Sequence, residues 1–365
     1  MFEKTFSLLQ QGVEDGVIPG AAAAVGVGDT VLARGFFGHR QVHGEKLPVT
    51  PDTLWDLASL SKVTATGMTA LRLMQCGVIG PDDPLEKYFL ASDCPDAALW
   101  QVRRQVTLRQ LLTHTGGFAP GIPLWECCGC PADAAKAILL SAPVCMPGEQ
   151  VYYSCLGFIL LQRVLEKAAG APLDVLAQRW VFEPLGMRNT CYCPQEKGYT
   201  DIAATEWPNP HGRCICGTVH DENAAFLGGV SGNAGVFSAL ADMERFAAML
   251  GQKGLVPVKG EEAFLRPETA AAMLKDYTPG LAESRGLALQ LRGAAGTFHG
   301  GEGLSAGSWG HTGFTGTSLY VDAAAGVWGV VLTNAVHFGR ERSRWFALRR
   351  AFYAAAVQEY TGQRT

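Results

Sequence analysis

The chain has 365 residues, a net charge of −4, 48% hydrophobic residues and 18% charged ones. That composition is globular and excludes a disordered or fibrous protein, and with no basic run there is nothing to recruit nucleic acid or an anionic membrane. The first seventeen residues, MFEKTFSLLQQGVEDGV, lack the apolar core of a signal peptide, and no stretch reaches transmembrane length without polar interruption, so a cytoplasmic location is expected. There the eleven cysteines should be thiols, and an odd count fits poorly with a complete disulfide framework.

In chain order, Phe2, Phe6, Leu9 and Val13 recur at helical spacing and predict an opening amphipathic helix. Ala21–Val27 and Thr30–Phe36 read as two strands about the two-residue turn Gly28-Asp29. Within Trp55–Gly77 a helix opens at Ser59, with Ala58 and Ser59 where the chain enters; it is apolar nearly all round, hence buried, and closed by Gly77. From about Gly80 to Val219 short helices alternate with Gly/Pro-rich loops. Within it, Leu108–Leu112, Leu156–Ala169 and Leu173–Phe182 are predicted helices, and Asn189–Val219 is expected to be mostly irregular. A glycine-rich loop spans Gly228–Gly235, followed by a helix over Ala239–Leu250. Ser318–Val321 and Val327–Thr333 are predicted strands, and Trp345, Leu348, Phe352 and Ala355 mark a closing helix. Strands at both ends with helices between imply an α+β fold: one antiparallel sheet built from both termini and flanked by helices, plus an inserted helical domain. The boundaries that follow are 1–78 with 225–365 for the α/β domain and 79–224 for the insertion.

Lys62 is the misfit in its apolar helix. It lies three residues after Ser59, on the same face, in the first turn. Burial and the positive helix end both favour the neutral amine, so its pKa is expected to fall. A hydroxyl beside such an amine is a way to activate a serine nucleophile without histidine. The structural alternative is a lysine that snorkels to water. Two further clusters stand out: Tyr152-Tyr153-Ser154-Cys155 between a turn and a helix, and His311-Thr312-Gly313-Phe314 before a strand. A tyrosine near a lysine can carry protons, and a backbone N–H among small residues can face an oxyanion. Read as structure, the tyrosines are core packing and the glycines a turn.

In this order, the segments resemble the serine β-lactamase and penicillin-binding-protein superfamily. The closest likeness is to its class C-related branch of esterases, D-aminopeptidases and D,D-carboxypeptidases. Ser59-Leu60-Ser61-Lys62 is similar to the Ser-x-x-Lys motif, Tyr153-Ser154-Cys155 stands where Tyr-x-Asn is usual, and His311-Thr312-Gly313 stands for Lys-Thr-Gly. Leu111–Gly117 and Gly228–Phe237 also resemble family segments, and the likeness runs from about residue 10 to 355. The resemblance implies a serine hydrolase acting through an acyl-enzyme, without cofactor or metal, on a small ester, amide or β-lactam. It implies Ser59 as nucleophile, Lys62 as proton acceptor, Tyr153 as proton relay and the amides of Ser59 and Phe314 as oxyanion hole. His311 would replace the cation that orients the tyrosine and attracts a substrate carboxylate. Cys155, Thr312, Gly313 and Asn334 would contact substrate, Asn334 by helping to bind that carboxylate. Cys155 lacks the amide of asparagine, and His311 is neutral at pH 7 unless its pKa is raised. Both departures favour esters or small peptides over β-lactams.

Three other readings remain open at this stage. Gly303-Leu304-Ser305-Ala306-Gly307 fits Gly-x-Ser-x-Gly, but its flanks read as loop rather than strand and helix. Cys191, Cys193, Cys214 and Cys216 form two close pairs that could close a zinc site. A ligand-sensing relative without turnover would be expected to have lost the nucleophile or base, and Ser59, Lys62 and Tyr153 are all present. The sequence sets neither the physiological substrate nor the oligomeric state.

Overall fold

The computed structural model describes residues 2–207, 212, 214–294 and 296–362. Of the stretch expected to be irregular, residues 208–211 and 213 lie outside the described residues. Eleven strands are described: β1 (Gly20–Val27), β2 (Thr30–Gln41), β3 (Leu47–Pro48), β4 (Trp55–Asp56), β5 (Thr190–Tyr192), β6 (Val236–Ser238), β7 (Ser284–Arg285), β8 (Gln290–Leu291), β9 (Trp309–Thr312), β10 (Ser318–Val321) and β11 (Val327–Thr333). Eight of them form one sheet in the order β3-β2-β1-β11-β10-β9-β8-β7, antiparallel throughout. Both chain ends therefore meet at its centre, where Ala21 pairs with Thr333 and Val27 with Val327.

The alanine run of β1 explains how helices cover both faces. Ala22 and Ala24 join one hydrophobic cluster, while Ala21, Ala23 and Val25 join the other, as strand alternation requires. Methyl side chains on a central strand let both helical layers come close, and a strand buried on both sides reads as continuous apolar sequence. On one face α1 (Glu3–Glu14) lies against the last helix, with Phe6 edge-on to Phe352 at 6.1 Å. The opposite face carries the larger core, which runs without a break from Leu60 and Val63 to Leu111, Leu156 and Phe158.

The Trp55–Gly77 stretch, predicted to carry one helix opening at Ser59, is built in four parts. Trp55 and Asp56 pair with Phe237 and Ser238, so the chain enters as a strand. A single 3₁₀ turn, Ala58–Leu60, carries Ser59, and a π turn, Lys62–Gly67, precedes α2 (Met68–Gln75). Ala58 has φ 47°, a left-handed conformation that a regular helix start would not contain. The strand pairing and this residue override the apolar pattern, which cannot register a two-residue strand. The far end agrees with expectation: Gly77, at φ 71°, follows α2, and the amide of Val78 reaches back to the carbonyl of Leu73 at 3.0 Å.

Three more helices position the site. The short helix α3 (Leu108–Leu112) opens on Thr107, whose Oγ1 accepts the amide of Gln110 while the Gln110 side chain accepts the amide of Thr107. It delivers the chain to His114. Helix α4 (Cys155–Ala169) is capped by Ser154, whose Oγ accepts the amide of Gly157, and it ends at Gly170. After α5 (Leu240–Gly251), the C-terminal α6 (Ser343–Gly362) crosses behind the sheet with its first turns at the mouth of the pocket. Among the described residues no helix is long and apolar enough to cross a membrane.

Candidate active site

Ser59 is held by bonds from segments far apart in the chain. The Asp56 carboxylate accepts the amides of Ala58 and His220, both at 2.8 Å, and so braces the turn before the nucleophile. Ser61 Oγ accepts the amide of Val236 at 3.1 Å. From the β9–β10 connection, Thr315 Oγ1 donates to the carbonyl of Asp56 at 2.7 Å and Thr317 Oγ1 to that of Leu57 at 2.9 Å. Gly313 lies so close to this turn that a Cβ there would stand 2.4 Å from the Leu57 carbonyl oxygen and 2.1 Å from Thr317 Oγ1. Any side chain at 313 would push the β9 end away from Ser59.

Lys62 is fully buried at 0% exposure. Its Nζ donates to Ser59 Oγ at 3.0 Å, to the carbonyl of Asn233 at 2.9 Å and to Cys155 Sγ at 3.4 Å. The snorkelling alternative therefore fails. The expected fall in its pKa also fails. Burial does pull the amine down, but its electrostatic coupling to Cys155 and Tyr153 outweighs this and leaves the value above that of an ordinary lysine. Three acceptors converge on this nitrogen, a geometry that suits an ammonium. Tyr153 is pushed up as well, by burial, against the pull of Lys62, so its phenol is neutral at rest. Its hydroxyl is buried near Ser59 and Lys62 but makes no hydrogen bond among the described residues.

The Tyr153 ring is boxed in. His114 stands on it at 4.5 Å between centroids and His311 at 5.7 Å, with Lys62 Nζ 5.1 Å and the Arg285 guanidinium 5.6 Å from its centre. Both histidines are neutral, because burial and the neighbouring Arg285 and Lys62 charges hold them well below the ordinary histidine value. His311 Nδ1 donates to the carbonyl of Thr312 at 2.8 Å, which leaves Nε2 as an acceptor. His311 therefore stands as a neutral group in place of the usual lysine cation. Besides Lys62, the cation beside Tyr153 is Arg285, 3% exposed and paired through one arm with Glu283.

Ser59, Tyr153, His311, Thr312, Gly313 and Phe314 line one cavity of about 370 Å³, which extends past Arg285 to the first turns of α6. Cys155 lies beneath it, on Lys62. Asn334 does not line it. Its amide donates to the carbonyls of Arg40 at 2.9 Å and Ala204 at 2.7 Å, so it joins β11 to the loops behind the site rather than meeting a substrate. Phe314 is 41% exposed, with the His220 ring stacked at 5.5 Å and the Arg342 guanidinium 3.9 Å from its centre.

The rival sites come apart. The Ser305 amide donates to the Asp322 carboxylate at 2.5 Å and its hydroxyl sits 3.3 Å from that of Ser308, a turn with no imidazole beside it among the described residues. All eleven cysteines are free thiols. Among the described residues no three His, Cys, Asp or Glu side chains gather as a metal site. Instead Cys193 and Cys216 each lean on a backbone carbonyl, of Gly228 and Ile202 respectively.

Residues 6–353 match the family described as Beta-lactamase. An Escherichia coli (strain K12) protein named "Putative D-alanyl-D-alanine carboxypeptidase" is 32% identical over 321 residues, covering 80% of this chain and 71% of that relative. In fold the chain resembles EstCE1, "a hydrolase with promiscuous acyltransferase activity", with a TM-score of 0.77 at 20% identity over 97% of this chain and 98% of that one. It also resembles the octameric penicillin-binding protein homologue from Pyrococcus abyssi, with a TM-score of 0.74 at 21% identity over 98% and 77% of the two chains. The chain belongs to the β-lactamase family and is a serine hydrolase related to penicillin-binding proteins.

Proposed function

We propose that Ser59 is acylated by small esters or amides whose leaving group carries a carboxylate, and that water then releases the acyl group. The observation that carries this reading is the 3.0 Å bond between Lys62 Nζ and Ser59 Oγ, beside a cavity that the buried Arg285 also lines. Ser59 Oγ attacks the carbonyl carbon, the amides of Ser59 and Phe314 receive the oxyanion, and the bond to the leaving group breaks as that group takes a proton through Tyr153. Arg285 binds the leaving-group carboxylate, the task the sequence had assigned to His311. The Thr312-Gly313 edge lies along the substrate backbone.

The protonation states set the pH dependence. At rest Lys62 is charged and Tyr153 neutral, so the pair must lose one proton before it can accept that of Ser59. Activity therefore rises with pH above neutrality. The name of the Escherichia coli relative supports a peptide substrate, and the absence of an amide at Cys155 supports an ester. Eleven free thiols support work in a reducing cytoplasm. The test is intact mass after a fluorophosphonate or a β-lactam, with wild type gaining one acyl or phosphonyl group and Ser59→Ala gaining none. Equal labelling of both would remove Ser59 from the reaction. Turnover of a p-nitrophenyl ester beside an acyl-D-Ala-D-Ala peptide then ranks ester against amide.

A further inference from the structure

The cavity does not end at Arg285. Its outer wall is formed by Arg342, just before α6, and by Arg349 and Arg350 within the helix. Four arginines thus line a space in which Glu283 is the one carboxylate among the described residues. Glu283 is already used, because it pairs with Arg285 and accepts from Gln290 Nε2 at 3.2 Å. Two other acids stand near Arg342: Glu341, which is exposed, and Glu206, whose oxygens are held by Arg340 and His220. His299, in the same lining, is kept neutral by burial and by the positive charge of Arg349, Arg285 and Arg350.

Such a gathering of like charge is costly without a counter-ion. Burial first, and then the charge of Arg349, push Arg342 down to about 10. Arg349 is 4% exposed; one arm donates to the carbonyl of His299 at 3.0 Å, and its Nε is buried with no hydrogen-bond partner among the described residues. Arg285 Nε is in the same condition. Both guanidinium groups line the cavity, and each has hydrogen-bonding capacity not taken up by the protein among the described residues. A carboxylate suits each, since a guanidinium fork and a carboxylate match in geometry.

We propose that this cavity holds two separate anion subsites, Arg285 near Tyr153 and Arg349 with Arg342 and Arg350 at the α6 wall, so that the preferred leaving group is a dicarboxylate. This rests on the reading of Ser59 as the acylated nucleophile and extends it to the substrate class. The volume of about 370 Å³ lies within the range of small-molecule sites and leaves room for a short two-acid skeleton. In the reaction the acyl–oxygen bond of the donor breaks, the bond to Ser59 Oγ forms, and the dicarboxylate leaves as the alcohol with the proton taken from Ser59. Water then cleaves the acyl-enzyme.

The experiment compares O-acetyl-malate with O-acetyl-lactate, which differ by one carboxylate. Wild type should favour the malate ester about 10–100-fold in kcat/KM, the range of one charge-assisted pair. In Arg349→Gln/Arg350→Gln the ratio should fall toward unity, and because it is taken within each variant a general loss cancels. Arg350→Gln alone, at an exposed position, should lower it in part. Calorimetric binding of free malate and lactate to wild type reads the same subsites without turnover, and malate should bind at least about tenfold tighter. Inorganic phosphate, with its charge at one centre, should bind like lactate. Equal treatment of malate and lactate, an unchanged ratio in the double variant, or phosphate binding as tightly as malate would each overturn the two-subsite proposal. Malate binding without acylation of Ser59 would keep the subsites and remove the nucleophile assignment, so the two failures are distinct.

Discussion

The floor and the mouth of the cavity are built on opposite terms. At the floor, Lys62 has every donor engaged and the nucleophile turn is laced to β6, to the β9–β10 connection and to His220. At the mouth, Arg285 and Arg349 have buried donors left open and four positive side chains face one paired carboxylate. The first is set before substrate arrives; the second is complete only when an anion enters. Chemistry is thus separated from recognition along one cavity, and substitutions at the two ends should differ in kind.

The largest effect belongs to the floor. Ser59→Ala should lower kcat on a p-nitrophenyl ester by on the order of 10⁶-fold while the thermal midpoint stays near wild type. An alanine variant that kept most of its kcat/KM would end the distinction, and Ser305 would be the next residue to test. Lys62→Arg comes second. Arginine stays protonated, so single-turnover acylation should slow about 10²–10⁴-fold. A near-normal rate would mean that Lys62 is not the proton acceptor.

At the mouth the losses are smaller and selective. Arg285→Gln should raise KM about 10–100-fold for carboxylate-bearing substrates and far less for a neutral ester. An equal loss on both would place Arg285 in the architecture of Tyr153 rather than in recognition. The pH profile sharpens the floor: kcat/KM should climb about tenfold per unit above neutrality, until the Lys62–Tyr153 pair has lost its proton. A profile flat from pH 6 to 9 would show that this pair already has a base at rest. The smallest effect expected is in Cys155→Asn with His311→Lys, which should raise turnover of nitrocefin relative to the ester about tenfold by restoring an amide and a charge. If the ratio does not move, the preference is set elsewhere, within about residues 117–147.

The same contrast decides what could be read from the sequence. Ser59 and Lys62 are legible because helical spacing alone puts them together, and the β1–β2 hairpin is legible from alternation about Gly28-Asp29. Tyr153 and His311 are legible only through motif order. Arg285 carries no such signal: it sits in a two-residue strand and becomes functional through contacts with Tyr153 and Glu283 that no spacing encodes. Arg342, just before the closing helix, and Arg349 and Arg350 within it belong to no motif that would mark them. His114 was visible inside its Thr-His-Thr-Gly-Gly run, but its place against Tyr153 depends on a left-handed backbone at φ 59°. Asn334 shows the opposite error, since a plausible position in the chain proved to be occupied by two backbone carbonyls.

The π turn over Lys62–Gly67 carries a consequence for how the site can change. Such a turn is an α-helix with one residue added, commonly found where function holds the extra residue in place. Length in this stretch is therefore a chemical variable. Deleting Thr64 would remove no group that touches a substrate and would let the backbone relax into a regular helix. It would also shorten the path between Lys62 and α2 by about 1.5 Å, drawing Lys62 off its carbonyl at Asn233 while Ser59 remained tied to the sheet. A one-residue deletion here is closer to losing the nucleophile than to trimming a helix.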